Sequence, residues 1–321
     1  MLYLNDQDIS TLSADWKSNL SCITRALELM QAGDFVQPIK PYLRYRDQNN
    51  RIIAMPAFIG GDINTAGLKW IASFPENIKK ELPRAHCVII LNEAETGVLK
   101  AMICSGKINA VRTASVSGVM IQAFLKVRPK QSLRVGVIGV GPIGKTHLEM
   151  IEVMFGNQVQ EYLVFDLIRP QVENLPGAVQ NRTKICGSWK EVYQSSDIFI
   201  TCTVSKERYI DQAPQPGQLI INVSLRDFQP QSVKDTQVIV DDWEEVYREN
   251  TDIEAMVTAG LLTQSSTMSL TDATLGGAID AIPKSMSIFF NPMGMGIFDL
   301  AIAEKCYQAA LREGIGVHLA L

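Results

Sequence analysis

The chain has 321 residues, 46% of them hydrophobic and 20% charged, with a formal net charge of −4. That length suits two domains, each large enough to bury a core. The acidic balance gives no basic footprint for nucleic acid, and no apolar run reaches membrane-spanning length, so neither is an expected partner.

Residues 9–32 have helical spacing, with Leu12, Trp16, Leu20, Ile23, Leu27 and Met30 on one face. Short strand-like segments punctuated by Gly and Pro follow at 51–56, 65–73, 86–92 and 98–104, an α+β pattern that predicts a curved sheet or half-barrel. A connecting helix is expected over 113–127, stopped by Pro129. Strands are then predicted at 133–138, 161–165, 183–186, 197–203, 218–223 and 236–241, with helices at 143–155 and 188–195. This alternation predicts a doubly wound parallel sheet of the Rossmann type. The run 197–203 has the near-continuous apolar character of a strand covered on both faces. The tail 296–314 is helical again and is expected to pack back on the first part. The fold class is thus α/β: a Rossmann domain over 117–295, and an α+β substrate-binding and dimerisation domain from 1–116 with 296–321.

The six cysteines are scattered without a C-x-x-C pair, which suits a reduced, cytoplasmic chain. The three histidines are isolated in sequence, so no metal site is expected.

The most specific local signal is Gly139-Val-Gly141-Pro142-Ile143-Gly144 between a strand and a helix. Bare glycine backbone at a helix N-terminus accepts a pyrophosphate. The next strand ends in Asp166, 22 residues after Gly144, where an acid binds the ribose diol. An acid there repels a 2′-phosphate, so NAD is expected over NADP, although Arg169 lies three residues on. Thr203, Val204 and Ser224 end neighbouring strands and are expected to line the cofactor, and Asp299 is placed with the cofactor-binding set.

Hydride transfer asks the protein for orientation, charge complementarity and an acid or base. Arg44, Lys69 and Arg112 each stand among apolar neighbours, where a cation wants an anionic partner. A carboxylate substrate supplies one. Candidate acids follow the nucleotide-domain strands at Asp227, Asp241 and Asp242, with Asp299 in the first turn of the last helix. An acid at that last position is as often dipole compensation. Asp227 has the strongest claim, over the expected nicotinamide position.

Several stretches together resemble the ornithine cyclodeaminase/mu-crystallin family: Gly67-Leu-Lys69, residues 89–97, Val111-Arg112-Thr-Ala-Ser-Val, the glycine turn, and Gly296-Ile-Phe-Asp299-Leu-Ala. The resemblance runs nearly end to end. It implies substrate-carboxylate cations at Arg44, Lys69 and Arg112, catalytic roles for Lys69 and Asp227, NAD as cofactor, and a homodimer. Residues 34–44, 51–56, 68–71, 240–243 and 291–295 are closest to one branch. That branch oxidises N-(2-amino-2-carboxyethyl)-L-glutamate, a polycarboxylate amine, with release of 2-oxoglutarate and L-2,3-diaminopropionate for siderophore precursors. The resemblance also leaves open ornithine cyclodeaminase, ketimine or pyrroline-2-carboxylate reductase, alanine dehydrogenase, and a non-catalytic mu-crystallin-like binder. One departure stands out: Ser224-Leu-Arg-Asp227 lacks the glycines that many cyclodeaminases carry before this acid.

Overall fold

The computed structural model describes residues 1–320. The chain divides into two compact units, Met1–Arg112 with Gly294–Leu321, and Thr113–Met293.

In the first unit, Leu2–Leu4 (β1), Phe35–Val36 (β2), Tyr42–Leu43 (β3), Arg51–Ile59 (β4), Thr65–Ser73 (β5), Ala85–Glu93 (β6) and Leu99–Cys104 (β7) share a sheet with Val317–His318. The order is Val317–His318, β1, β7, β6, β5, β4, β2, with β3 also on β4. Pairing is antiparallel from β4 through β7, while β1 joins β7 in parallel. The predicted helix over 9–32 is in fact two, Asp6–Leu12 (α1) and Trp16–Gln31 (α2). The break follows from capping. Asn5 accepts from the Gln7 and Asp8 amides to open α1, and the Asp15 carboxylate accepts from the Ser18 amide to open α2. The C-terminal helix Gly296–Glu313 lies on this sheet. It ends at Gly314, which takes the left-handed φ of +65° that stops a helix without steric cost. Gly67 of β5 faces it: an added Cβ there would fall 2.2 Å from Ile90 O on β6 and 3.1 Å from Leu300 Cδ2 of the helix.

The connecting helix Gly106–Val127 (α3) starts seven residues earlier than predicted, so Arg112 stands inside it rather than at its start.

The second unit holds eight parallel strands: Leu133–Ile138 (β8), Val159–Phe165 (β9), Thr183–Ile185 (β10), Ile198–Thr201 (β11), Leu219–Asn222 (β12), Gln237–Val240 (β13), Met268–Ser269 (β14) and Ile288–Asn291 (β15). Their order is β10, β9, β8, β11, β12, β15, β13, β14. β11 and β12 are buried at every residue, as strands covered on both faces must be. The helices Pro142–Phe155 (α4) and Trp189–Ser195 (α5) are joined by Trp243–Val246 (α6), Asp252–Thr258 (α7) and Leu270–Thr274 (α8). Two strands escaped prediction, β14 and β15. The second matters for topology, because it inserts between β12 and β13 and pairs Phe289 with both Ile220 and Val238.

Candidate active site

The glycine turn links β8 to α4, and its three glycines do different work. Gly139 has φ +84°, and a Cβ there would lie 2.5 Å from the Cys202 carbonyl carbon. A Cβ on Gly144 would lie 2.1 Å from Gly139 O. Both close approaches require glycine. Gly141 is different: it is the N-cap of α4, makes no side-chain cap hydrogen bond, and an added Cβ would meet nothing within 4 Å. The space above it is open at a helix N-terminus, and Pro142 begins the helix with no amide to leave unpaired. That is a cradle fitted to a pyrophosphate. Asp166, at the end of β9, accepts from the Val140 amide at 2.7 Å and the Ile168 amide at 3.2 Å. Its carboxylate is therefore held against the same turn, where a ribose diol would reach it. Ile143 O accepts from Nδ1 of the fully buried His147, whose Nε2 lies 2.9 Å from Ser117 Oγ. Burial pushes that imidazole down to about 4, so it stays neutral.

Asp227 is completely buried just past β12. Thr203 Oγ1 lies 2.7 Å from both of its oxygens, Ser224 Oγ donates to Oδ2 at 2.5 Å, and Tyr209 OH is 3.4 Å from Oδ2. Burial raises its carboxyl above the usual range, and the nearby Asp252 charge adds to the rise against the hydrogen bonds from Ser224 and Thr203. Thr203 and Ser224, expected to line the cofactor, are thus also the hydroxyls that hold Asp227, while Val204 beside them is exposed. Asp241 and Asp242, also raised as candidate acids, are engaged by backbone amides. Asp241 accepts from the Asp242 and Met293 amides, and Asp242 caps α6.

In the first unit, Lys69 occupies the buried face of β5, directly between Met55 on β4 and Ile89 on β6. A lysine in an apolar layer needs partners. Nζ donates to Asn109 Oδ1 at 2.6 Å and Asp299 Oδ1 at 2.9 Å. Burial pushes the ammonium below its ordinary range, and Asp299 opposes that shift. Arg112 Nε donates to the same Asp299 oxygen at 2.8 Å. The trio therefore carries one more cationic than anionic group, and its charge suits an added carboxylate. Asp299 Oδ2 is buried with no hydrogen-bond partner among the described residues, which leaves acceptor capacity for a bound group.

The structure thus places Asp299, expected among cofactor contacts, in the first unit against Lys69 and Arg112, two of the three predicted substrate cations. Arg44 follows β3 with its guanidinium 5.0 Å from the Tyr42 ring centroid. Tyr42 pairs with Ile53, two residues along β4 from Met55 opposite Lys69. Lys40 donates to Gly294 O at 2.7 Å, so its buried ammonium fastens the loop before the last helix. Sequence reasoning missed Asn109, Tyr209, Asn222, Arg208 and Asp252. Asn109 carried a usable signal, standing three residues before Arg112 on one helix face; the others meet only through tertiary structure.

Residues 7–314 match the ornithine cyclodeaminase/mu-crystallin family. An N-((2S)-2-amino-2-carboxyethyl)-L-glutamate dehydrogenase of Staphylococcus aureus is 33% identical, with 100% of this chain and 98% of that protein covered. An alanine dehydrogenase of Archaeoglobus fulgidus is 25% identical over 98% of this chain and 97% of its own length. Among solved structures, the Thermococcus litoralis Δ1-pyrroline-2-carboxylate reductase in complex with NADH and L-proline superposes with a TM-score of 0.87 at 24% identity, covering 99% of this chain and all of that one. The chain belongs to the ornithine cyclodeaminase/mu-crystallin family.

Proposed function

We propose that this chain is an NAD-dependent oxidoreductase acting on the secondary amine of N-(2-amino-2-carboxyethyl)-L-glutamate. The observation that carries the reading is the buried Lys69–Arg112 pair sharing one carboxylate oxygen of Asp299, an arrangement charged to receive a substrate carboxylate. The full-length similarity to the staphylococcal dehydrogenase supports this particular conjugate.

Bound NAD supplies a hydride acceptor. Gly141 and the α4 N-terminus hold its pyrophosphate, and Asp166 its ribose. Lys69 and Arg112 fix a substrate carboxylate, and Arg44 takes another, so that the reacting carbon is oriented before it reacts. The Cα–H bond of the glutamate half breaks with its electron pair leaving as hydride, the amine loses its proton, and a C=N bond forms. Asp227, raised by burial toward working pH, takes that proton. Water then adds to the imine, and the C–N bond breaks to give 2-oxoglutarate and L-2,3-diaminopropionate. We place the product in siderophore-precursor synthesis in the cytoplasm. The working unit is a homodimer, for which Val36, Leu43 and Trp70, each at least 40% exposed on one sheet, supply an apolar surface.

The test combines NAD with the synthetic conjugate and follows absorbance of NADH together with 2-oxoglutarate release. Stoichiometric appearance of both supports the reading. No turnover there, with turnover on alanine, ornithine or pyrroline-2-carboxylate, overturns it.

A further inference from the structure

Asp227 stands in a turn that the chain does not adopt cheaply. Leu225, two residues earlier, has φ +64°, a left-handed conformation that costs a β-carbon residue about 1 kcal/mol or more. Something outside the turn must fix it. Part of the compensation is apolar, since Leu225 is buried with Phe228, Ile253 and Met256. The rest comes from a single acid 25 residues away. Asp252 is completely buried at the start of α7. Its Oδ2 accepts from the Asp227 amide at 3.0 Å, the Phe228 amide at 3.1 Å and Asn222 Nδ2 at 2.9 Å. Its own amide donates to Leu225 O at 2.7 Å. Asn222 closes the other end, accepting from the Leu225 amide at 3.1 Å. The Leu225, Asp227 and Phe228 amides thus end on Asp252 or on Asn222, which Asp252 holds, while the Ser224 amide donates to Thr201 O at 3.1 Å.

Arg208 binds the far side of the same carboxylate through Nε at 2.8 Å, and its Nη2 donates to Asn250 O and Thr251 O. A simple clamp would not need a charge. A buried carboxylate beside a second buried carboxylate is costly, and a neutral Asn could accept the same amides.

We propose that Asp252 is a positioning residue for Asp227, whose carboxylate fixes the turn and whose negative charge, moderated by Arg208, keeps Asp227 basic enough to accept the substrate proton. This rests on the reading of Asp227 as proton acceptor. The charged and titratable groups around Asp227 are few. Tyr209 and Cys202 face it, both pushed up by burial and therefore neutral, and Asp252 lies behind it with Arg208. Burial likewise raises Asp252, while its amide donors and Arg208 favour the ionised form.

The experiment is the pH profile of kcat/KM for NADH formation in the wild type, Asp252→Asn and Arg208→Gln, with NADH affinity from its fluorescence. Asp252→Asn removes a like charge, so the acidic limb moves to lower pH. kcat falls about tenfold or more as the base loses strength and register, with NADH affinity unchanged. Arg208→Gln leaves the Asp252 charge unmoderated, and the limb moves to higher pH. Limbs that stay in place in either folded variant overturn the proposal, and Arg208→Gln decides it if Asp252→Asn does not fold. A third variant separates the two claims. If Asp227→Asn retains turnover, the reading of Asp227 fails. If Asp227→Asn abolishes turnover while the limbs stay in place, the reading stands and Asp252 is structural only.

Discussion

Acidification should weaken the nucleotide unit through one residue, His147. It sits in the second turn of α4, behind the glycine turn, with no exposed surface. A carbonyl can only accept, so Nδ1 carries the proton donated to Ile143 O and Nε2 accepts from Ser117. A second proton on Nε2 could meet Ser117 Oγ if that hydroxyl turned to Thr113 O, but it would bring a charge into a site without solvent, and that burial holds the group at about 4 against 6.5 when unfolded. The folded state therefore prefers the neutral ring. Its contribution is complete above pH 6.5 and is lost as pH falls from there through about 4. At about 1.4 kcal/mol per pH unit, the full loss is about 3 kcal/mol, of which roughly 2 kcal/mol is gone by about pH 5. Urea unfolding at pH 7.5 and pH 5, in the wild type and His147→Gln, measures it. Groups such as Asp227 and Asp252 remain in both proteins, so their contributions cancel in the difference between the two pH dependences. We expect the wild type to lose roughly 2 kcal/mol more than the variant over that interval. Equal losses would show that the ring accepts its second proton at no cost, and would refute the reasoning.

Gly141→Val should lower NADH affinity at least about tenfold with little change in Tm, because the added side chain meets only the space a ligand would fill; a matching loss of Tm would make that position structural. Gly144→Ala should instead destabilise the fold, its Cβ being 2.1 Å from Gly139 O, as thermal melts will register. Lys69→Met should abolish substrate oxidation while NADH still binds, since Arg112 continues to pair Asp299. Asp299→Ala strands two buried cations and should cost about 3–5 kcal/mol in urea unfolding. Asp166→Ser should narrow the preference for NADH over NADPH in a binding titration by removing the charge that repels a 2′-phosphate. Trp70→Glu should convert a dimer to a monomer in sedimentation analysis; a wild type that sediments as a monomer contradicts the dimer assignment.

Where interactions are local, the chain could be read directly. β8, the glycine turn, α4 and β9 follow one another within about 30 residues, and each is specified by its own periodicity and caps. β5 was predicted with its observed bounds because its nearly continuous apolar run between Thr65 and Ser73 is interrupted only by Lys69. The misses are non-local or depend on capping. The run Ile288–Asn291 looks like any short apolar segment, and nothing nearby states that it inserts between β12 and β13. The helical periodicity over 9–32 continues across Asp15, whose side chain nonetheless starts a new helix. At the site, Lys69 and Arg112 were visible as cations in apolar surroundings. The sharing of Asp299 between them was not, because the acid lies 187 residues beyond Arg112. Asp252 would be read from sequence as an acid compensating a helix dipole, since its hold on Asp227 exists only once β12 and α7 are packed.

The central claim is that hydride leaves the glutamate Cα of the conjugate. Substrate carrying deuterium at that carbon, mixed with NAD and this enzyme, tests it most directly. The account predicts singly deuterated NADH, a primary isotope effect on its formation, and unlabelled 2-oxoglutarate in equal amount. Unlabelled NADH with deuterium retained in a glutamate product would place the oxidation on the other carbon of the amine and contradict the account.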